Sequence, residues 1–189
     1  MKKDRNVGER IEQKRVVADK FLTSVLIPFY KGFRDAFSII GDLIDPLIEA
    51  YNQREGTSLE VPDLWFVVQD RIINLGEARK HGLGKRQPDS FGLTYNDYNS
   101  IKNNVEQLEH EHARAEKGVG YCGFPSWASR AEELASQARK IRKEIKDMKN
   151  RGKEELGKRQ ERGNGWLQRK GLSSNELLQN LLDGKISQE

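Results

Sequence analysis

Two stretches of the chain place apolar or small residues alternately three and four positions apart. The first is Tyr98, Ile101, Val105, Leu108, His112 and Ala115; the second is Ala131, Leu134, Ala138, Ile141, Ile145 and Met148. That spacing draws a single stripe along a helix, the kind of seam that paired helices bury. The segment between them, Gly118-Val-Gly-Tyr-Cys-Gly-Phe-Pro125-Ser126, cannot continue a helix and can reverse the chain. The pattern predicts an antiparallel, coiled-coil-like helical hairpin over 95–151. Its register faces Leu108 with Leu134 and Val105 with Ala138, with His112 on the seam opposite Ala131. In the alternative arrangement each helix packs separately on a core formed elsewhere.

That core is predicted over 1–80. Residues 8–30 read as a helix carrying Phe21, Val25, Leu26 and Phe29, kinked or ended by Pro28. Phe33, Phe37, Ile40 and Ile44 continue at helical spacing, and Asp45-Pro46 can restart a helix with Asp45 as its N-cap. A third helix begins near Pro62 and buries Leu64, Trp65, Val68, Ile72 and Leu75. Residues 81–94 form a linker containing Gly and Pro, and Thr94 with Asp97 caps the first hairpin helix at about 95–117. Ser126 is the N-cap expected for the second, which runs to about Asn150. Beyond it, glycines at 152, 157, 163, 165 and 171 predict a frayed, flexible basic tail over 152–189. Ser173 with Glu176 and a terminal Gly184 predict a short amphipathic helix at 174–183. No stretch alternates as a strand does, so the fold class is all-α.

Composition sharpens this picture. Charged residues make up 33% against 35% hydrophobic, and the mean hydropathy is −0.81, which suits extended helices with wet outer faces. The net charge of +4 is unevenly spread. Residues 1–21 carry +3, 22–137 carry −5 and 138–189 carry +6, so basic ends flank an acidic middle and favour an anionic partner. The single cysteine, Cys122, rules out an intrachain disulfide and suits a reducing compartment. The longest apolar run, Phe21–Tyr30, is half the roughly 20 residues a membrane span needs. No secretory signal is visible, and the expectation is a soluble cytoplasmic protein without a transmembrane segment.

Candidate chemistry is sparse. Neighbouring residues on a helix point about 100° apart, so His110 and His112, two positions apart, cannot grip one ion together. Glu109-x-x-His112 has the spacing of a di-iron motif, but the required second copy is missing, since Ala78 precedes His81. Gly118-x-Gly120-x-x-Gly123 matches the dinucleotide fingerprint in letters only, because a charged helix rather than a strand precedes it. Gly84-Lys85-Arg86 lacks the residues that complete a phosphate-binding loop. The sequence therefore predicts no enzyme, no metal and no cofactor.

The strongest signal is the tract from Arg139 to Lys170, with thirteen bases and five acids. Arg139, Arg142, Lys143, Lys146, Lys149 and Lys153 recur three or four apart and can follow a phosphate backbone. Arg159 and Arg162 extend the tract, and Trp166 is placed to stack on an exposed base. The competing account is a solvated helix flank whose charges pair with Glu106, Glu109 and Glu111. At the end of the chain, Leu177, Leu178, Leu181 and Leu182 form an apolar helix face that docks on a partner or folds back on its own core. The reading is a non-enzymatic helical binding protein, most simply a nucleic-acid-associated accessory factor. The alternative is an adaptor or structural subunit, joined to a protein partner or a second copy through the N-terminal helices or the leucine helix. A peripheral contact with anionic lipid through residues 8–51 is a third class.

Overall fold

The computed structural model describes residues 2–33, 40–80, 87–118 and 138–185, of which 2–7, 78–80 and 138 are described as backbone only. Among the described residues there are six helical rods and no strand. The first rod is composite: α1 (Lys2–Phe21), a π-helical turn (Leu22–Leu26) and α2 (Ile27–Gly32) follow one another. The others are α3 (Ile40–Glu55), α4 (Val61–Lys80), α5 (Tyr95–Lys117), α6 (Ala138–Lys170) and α7 (Ser174–Leu182).

Pro28 does not end the first rod. A proline loses the bond to the carbonyl four residues back and its ring crowds that carbonyl. Here the preceding turn is widened, with the Ile27 N–H donating to the Leu22 carbonyl five residues away. Thr23 donates its hydroxyl to the Asp19 carbonyl at 3.0 Å, and Ser24 donates to Lys20. These bonds hold the widened turn on its outer side while Leu22, Val25 and Leu26 face inward.

Nor does Asp45-Pro46 start a helix. α3 begins at Ile40, and Pro46 lies inside it. Ile40, Leu43 and Ile44 are all buried, so the turn before Pro46 is secured by packing. The two capping boxes read from the sequence are both present, Thr94 with Asp97 at α5 and Ser173 with Glu176 at α7.

One hydrophobic cluster serves every rod. Phe21, Leu43, Leu64, Val105, Trp166 and Leu177 belong to it, one or more from each. Residues expected to form a core, a hairpin and a tail as separate units thus bury their apolar faces together. The region past Asn150 is continuous helix to Lys170, not a frayed tail. Its glycines explain why. A Cβ on Gly152 would lie 2.5 Å from the Ala115 backbone nitrogen, and one on Gly163 would lie 2.8 Å from the Asp42 carbonyl oxygen. Gly152 and Gly163 let α6 cross α5 and α3 at backbone contact, and burial outweighs the propensity cost of about 1 kcal/mol each.

α6 runs antiparallel to α5, with Ile145 against Gly118, Gly152 against Ala115 and Arg159 against Glu111. This register displaces the expected pairing of Val105 with Ala138 by several turns. Leu134 and Ala131, with the loop from 119 to 126 and the Ser126 cap, lie outside the described residues. So do His81, Cys122 and the Gly84-Lys85-Arg86 run.

Candidate nucleic-acid interface

α6 is 33 residues long, and its inward face follows the predicted spacing well beyond the predicted end. Ile141, Ile145, Met148, Gly152, Leu156, Arg159, Gly163 and Trp166 recur three or four apart and are buried or half-buried. The helix divides into two halves with different electrostatics.

In the C-terminal half the two central bases, Arg159 and Arg162, are consumed by the fold. Arg159, 8% exposed, donates from Nη2 to Glu111 Oε1 at 3.1 Å and from Nε to the other Glu111 oxygen. Its Nη1 donates to Asp42 Oδ1 at 3.1 Å. Arg162 grips the same Asp42 carboxylate with Nε and Nη2, both at 2.9 Å. Two arginines thus meet two buried carboxylates, so the cluster is neutral and every charge is hydrogen-bonded, as a buried ion network requires. Lys158 pairs with Glu154 and Glu155. Arg159 and Arg162, placed by the sequence in a phosphate-binding site, are instead the pins that join α6 to α3 and α5.

Trp166 departs further from expectation. It is 3% exposed, edge-on to Phe29 at 5.9 Å and to Phe33 at 5.4 Å, with the Lys170 ammonium over its ring. No ring face is left for a nucleobase. The leucine helix likewise turns inward: Leu177, Leu178 and Leu181 are buried, Leu182 is half-buried, and α7 lies on α3. The apolar face read as a docking surface is covered by the protein's own core.

In the N-terminal half the bases face water. Arg139, Lys140, Arg142, Lys143, Lys146, Arg151 and Lys153 are exposed and Lys149 is half-buried. Among the described residues none of them pairs with a carboxylate. At 3.6 residues per turn, Arg139, Arg142, Lys143, Lys146, Lys149 and Lys153 share an arc of about 120°. That arc is centred about 130° from the inward face and runs about 21 Å along the axis. Glu144 and Asp147 fall outside it, beside Lys140 and Arg151. The six cations therefore form an acid-free stripe. Glu106 and Glu109, possible partners across the hairpin, do not reach it in this register.

His112 Nε2 lies 2.7 Å from Asp45 Oδ2, tying α5 to α3 at the edge of the arginine cluster. That hydrogen bond raises the imidazole pKa above its ordinary value. The seam position expected for His112 belongs to Glu111, one residue earlier. Glu109 is buried with Oε2 unpartnered among the described residues, and burial with the neighbouring Glu106 charge pushes its carboxyl up to about 7. Among the described residues no three His, Cys, Asp or Glu side chains are grouped to hold a metal. No described helix is long and apolar enough to cross a membrane.

Comparison with protein families, characterised proteins and solved structures gave no significant match to this chain.

Proposed function

We propose that the protein is a non-enzymatic, nucleic-acid-associated accessory factor that binds phosphates through the outward stripe of α6. One observation supports this most: the basic tract divides, with Arg159 and Arg162 paired to buried carboxylates and the bases from Arg139 to Lys153 turned outward and, among the described residues, unpaired. A helix face that served only as a solvated flank would be expected to interleave acids, as the face of Lys158 does with Glu154 and Glu155, whereas Glu144 and Asp147 stand off the stripe. The stripe also carries no apolar residue. An interfacial membrane helix sets large apolar side chains beside its cations, so the stripe favours a phosphate backbone over a lipid surface.

Six phosphate contacts on a duplex give a salt dependence of log K on log salt with slope about −5. Replacing Arg142, Lys146, Lys149 and Lys153 by Gln is expected to flatten that slope by about 3 to 4 and to weaken binding to unrelated sequences alike. These side chains lie off the core, so the variant keeps its melting temperature. Absence of binding by the unaltered protein at low salt would end the proposal.

An adaptor role is the second reading, and the surface that supports it lies on the N-terminal helices, not on the leucine helix. Ile11 and Val16 on α1 and Phe66 and Ile73 on α4 are each at least half exposed. A pull-down from the native source, with and without nuclease, separates a nucleic-acid tether from a protein partner or second copy bound there.

A further inference from the structure

We infer that the α6 stripe takes double-stranded nucleic acid in preference to single strands, without preference for sequence. This rests on the phosphate-binding reading above and adds to it the class of ligand.

Proteins that hold single strands combine a basic groove with aromatic rings on which successive bases stack. The described part of α6 has one aromatic, Trp166, which is buried against Phe29 and Phe33 at the end remote from the stripe. Phe66, the most exposed aromatic of the described residues, belongs to α4. Among the described residues the stripe therefore attracts nucleic acid only through charge. A duplex carries one negative charge per about 1.7 Å of axis, about twice that of one strand, and releases more counterion per phosphate neutralised. The geometry of the cations favours the same ligand. They sit on one face of a rod about 21 Å long, pinned through Arg159 and Arg162 to α3 and α5. A rigid row of charges matches the fixed phosphates of a duplex, whereas a flexible strand must be ordered to match it. Sequence indifference follows because phosphate contacts carry no base information.

The test uses the full chain and labelled probes of about 20 nucleotides or base pairs, enough to span the stripe. The probes are a DNA duplex and an RNA duplex in two unrelated sequences each, their component single strands, and polyglutamate as a competitor. Fluorescence anisotropy is followed from low to physiological salt. The expected result is binding to at least one duplex about tenfold or more tighter than to its strands near physiological salt, the margin that salt slopes of about −0.9 and −0.7 per phosphate give for six contacts. The two sequences should agree within about twofold, and the four-site Gln variant should lose the binding while retaining its circular dichroism. Whichever duplex binds tighter names the source. Single strands bound as tightly as duplexes would overturn this inference and leave the nucleic-acid reading standing. No binding of any nucleic acid at low salt would overturn both. Polyglutamate competing as well as the duplex would also overturn both, and would assign the stripe to an acidic protein surface.

Discussion

Gly152 and Gly163 show how one residue type carries opposite meanings at neighbouring sites. Both look like helix breakers in the sequence. Both stand on the inward face of α6, eleven residues and about three turns apart, where another backbone passes within contact distance. Gly157 lies on the same helix with nothing within 4 Å of a would-be Cβ. The three positions make an internal control. Gly157→Ala is expected to stabilise the protein by up to about 1 kcal/mol, the propensity difference alone. Gly163→Ala gains the same propensity but forces a methyl against the Asp42 carbonyl, a clash costing about 1–3 kcal/mol, and Gly152→Ala meets backbone still more closely. The expected order of melting temperature is 157 above wild type, then 163, then 152, measured by thermal unfolding.

Element by element, Pro46 and Gly163 bear on the same residue of α3. Pro46 has no N–H to offer the Asp42 carbonyl, four residues earlier, and Gly163 brings α6 against that carbonyl. The Asp42 side chain meanwhile receives Arg159 and Arg162. Three helices meet at one residue, which makes the arginine cluster the joint on which the orientation of the stripe depends. Removing Arg159 strands the buried Glu111 carboxylate and leaves Asp42 to Arg162 alone. Arg159→Met is therefore expected to cost about 3–5 kcal/mol in chemical denaturation, whereas Arg142→Met on the outward face should cost less than about 0.5. Similar losses at both sites would mean that α6 is not divided as described.

Across the whole molecule, charge placement makes stability depend on pH in an unusual direction. Glu109 holds its proton up to about 7 when folded, against about 4.5 in the free side chain. The folded state thus binds a proton the unfolded chain has released, and the stabilisation is fully present below about pH 4.5 and lost as pH rises to about 7. His112 acts with the same sign in a higher window. Its contribution is present below its ordinary value of 6.5 and disappears as pH climbs through the raised folded value. Comparison of variants with the parent isolates these groups from the other carboxylates. Glu109→Gln should flatten the fall in stability between those limits and raise the melting temperature above about pH 7. His112→Gln should be destabilising below about pH 6 and nearly neutral by about pH 9. A Glu109→Gln variant that tracks the parent at every pH would contradict the buried, unpartnered carboxyl.

What the sequence determined by itself was whatever depends on neighbours along the chain. Helical periodicity placed α4 and α5, and the reciprocal Thr94–Asp97 and Ser173–Glu176 pairs set the starts of α5 and α7 because a cap is satisfied within four residues. The Arg139–Lys153 stripe was legible for the same reason, since a face of one helix needs no partner to exist. Tertiary structure alone decided which positions of α6 meet other backbones. Its inward face continues through Gly152, Arg159 and Gly163, residue types that read as breaks or surface charge until Ala115, Glu111 and Asp42 are set against them. Trp166 and the α7 leucines were recognisable as apolar surface, but not by which surface they would be covered. Burial is a property of two elements, and contacts between residues 42 and 163, more than a hundred positions apart, leave no local trace in either.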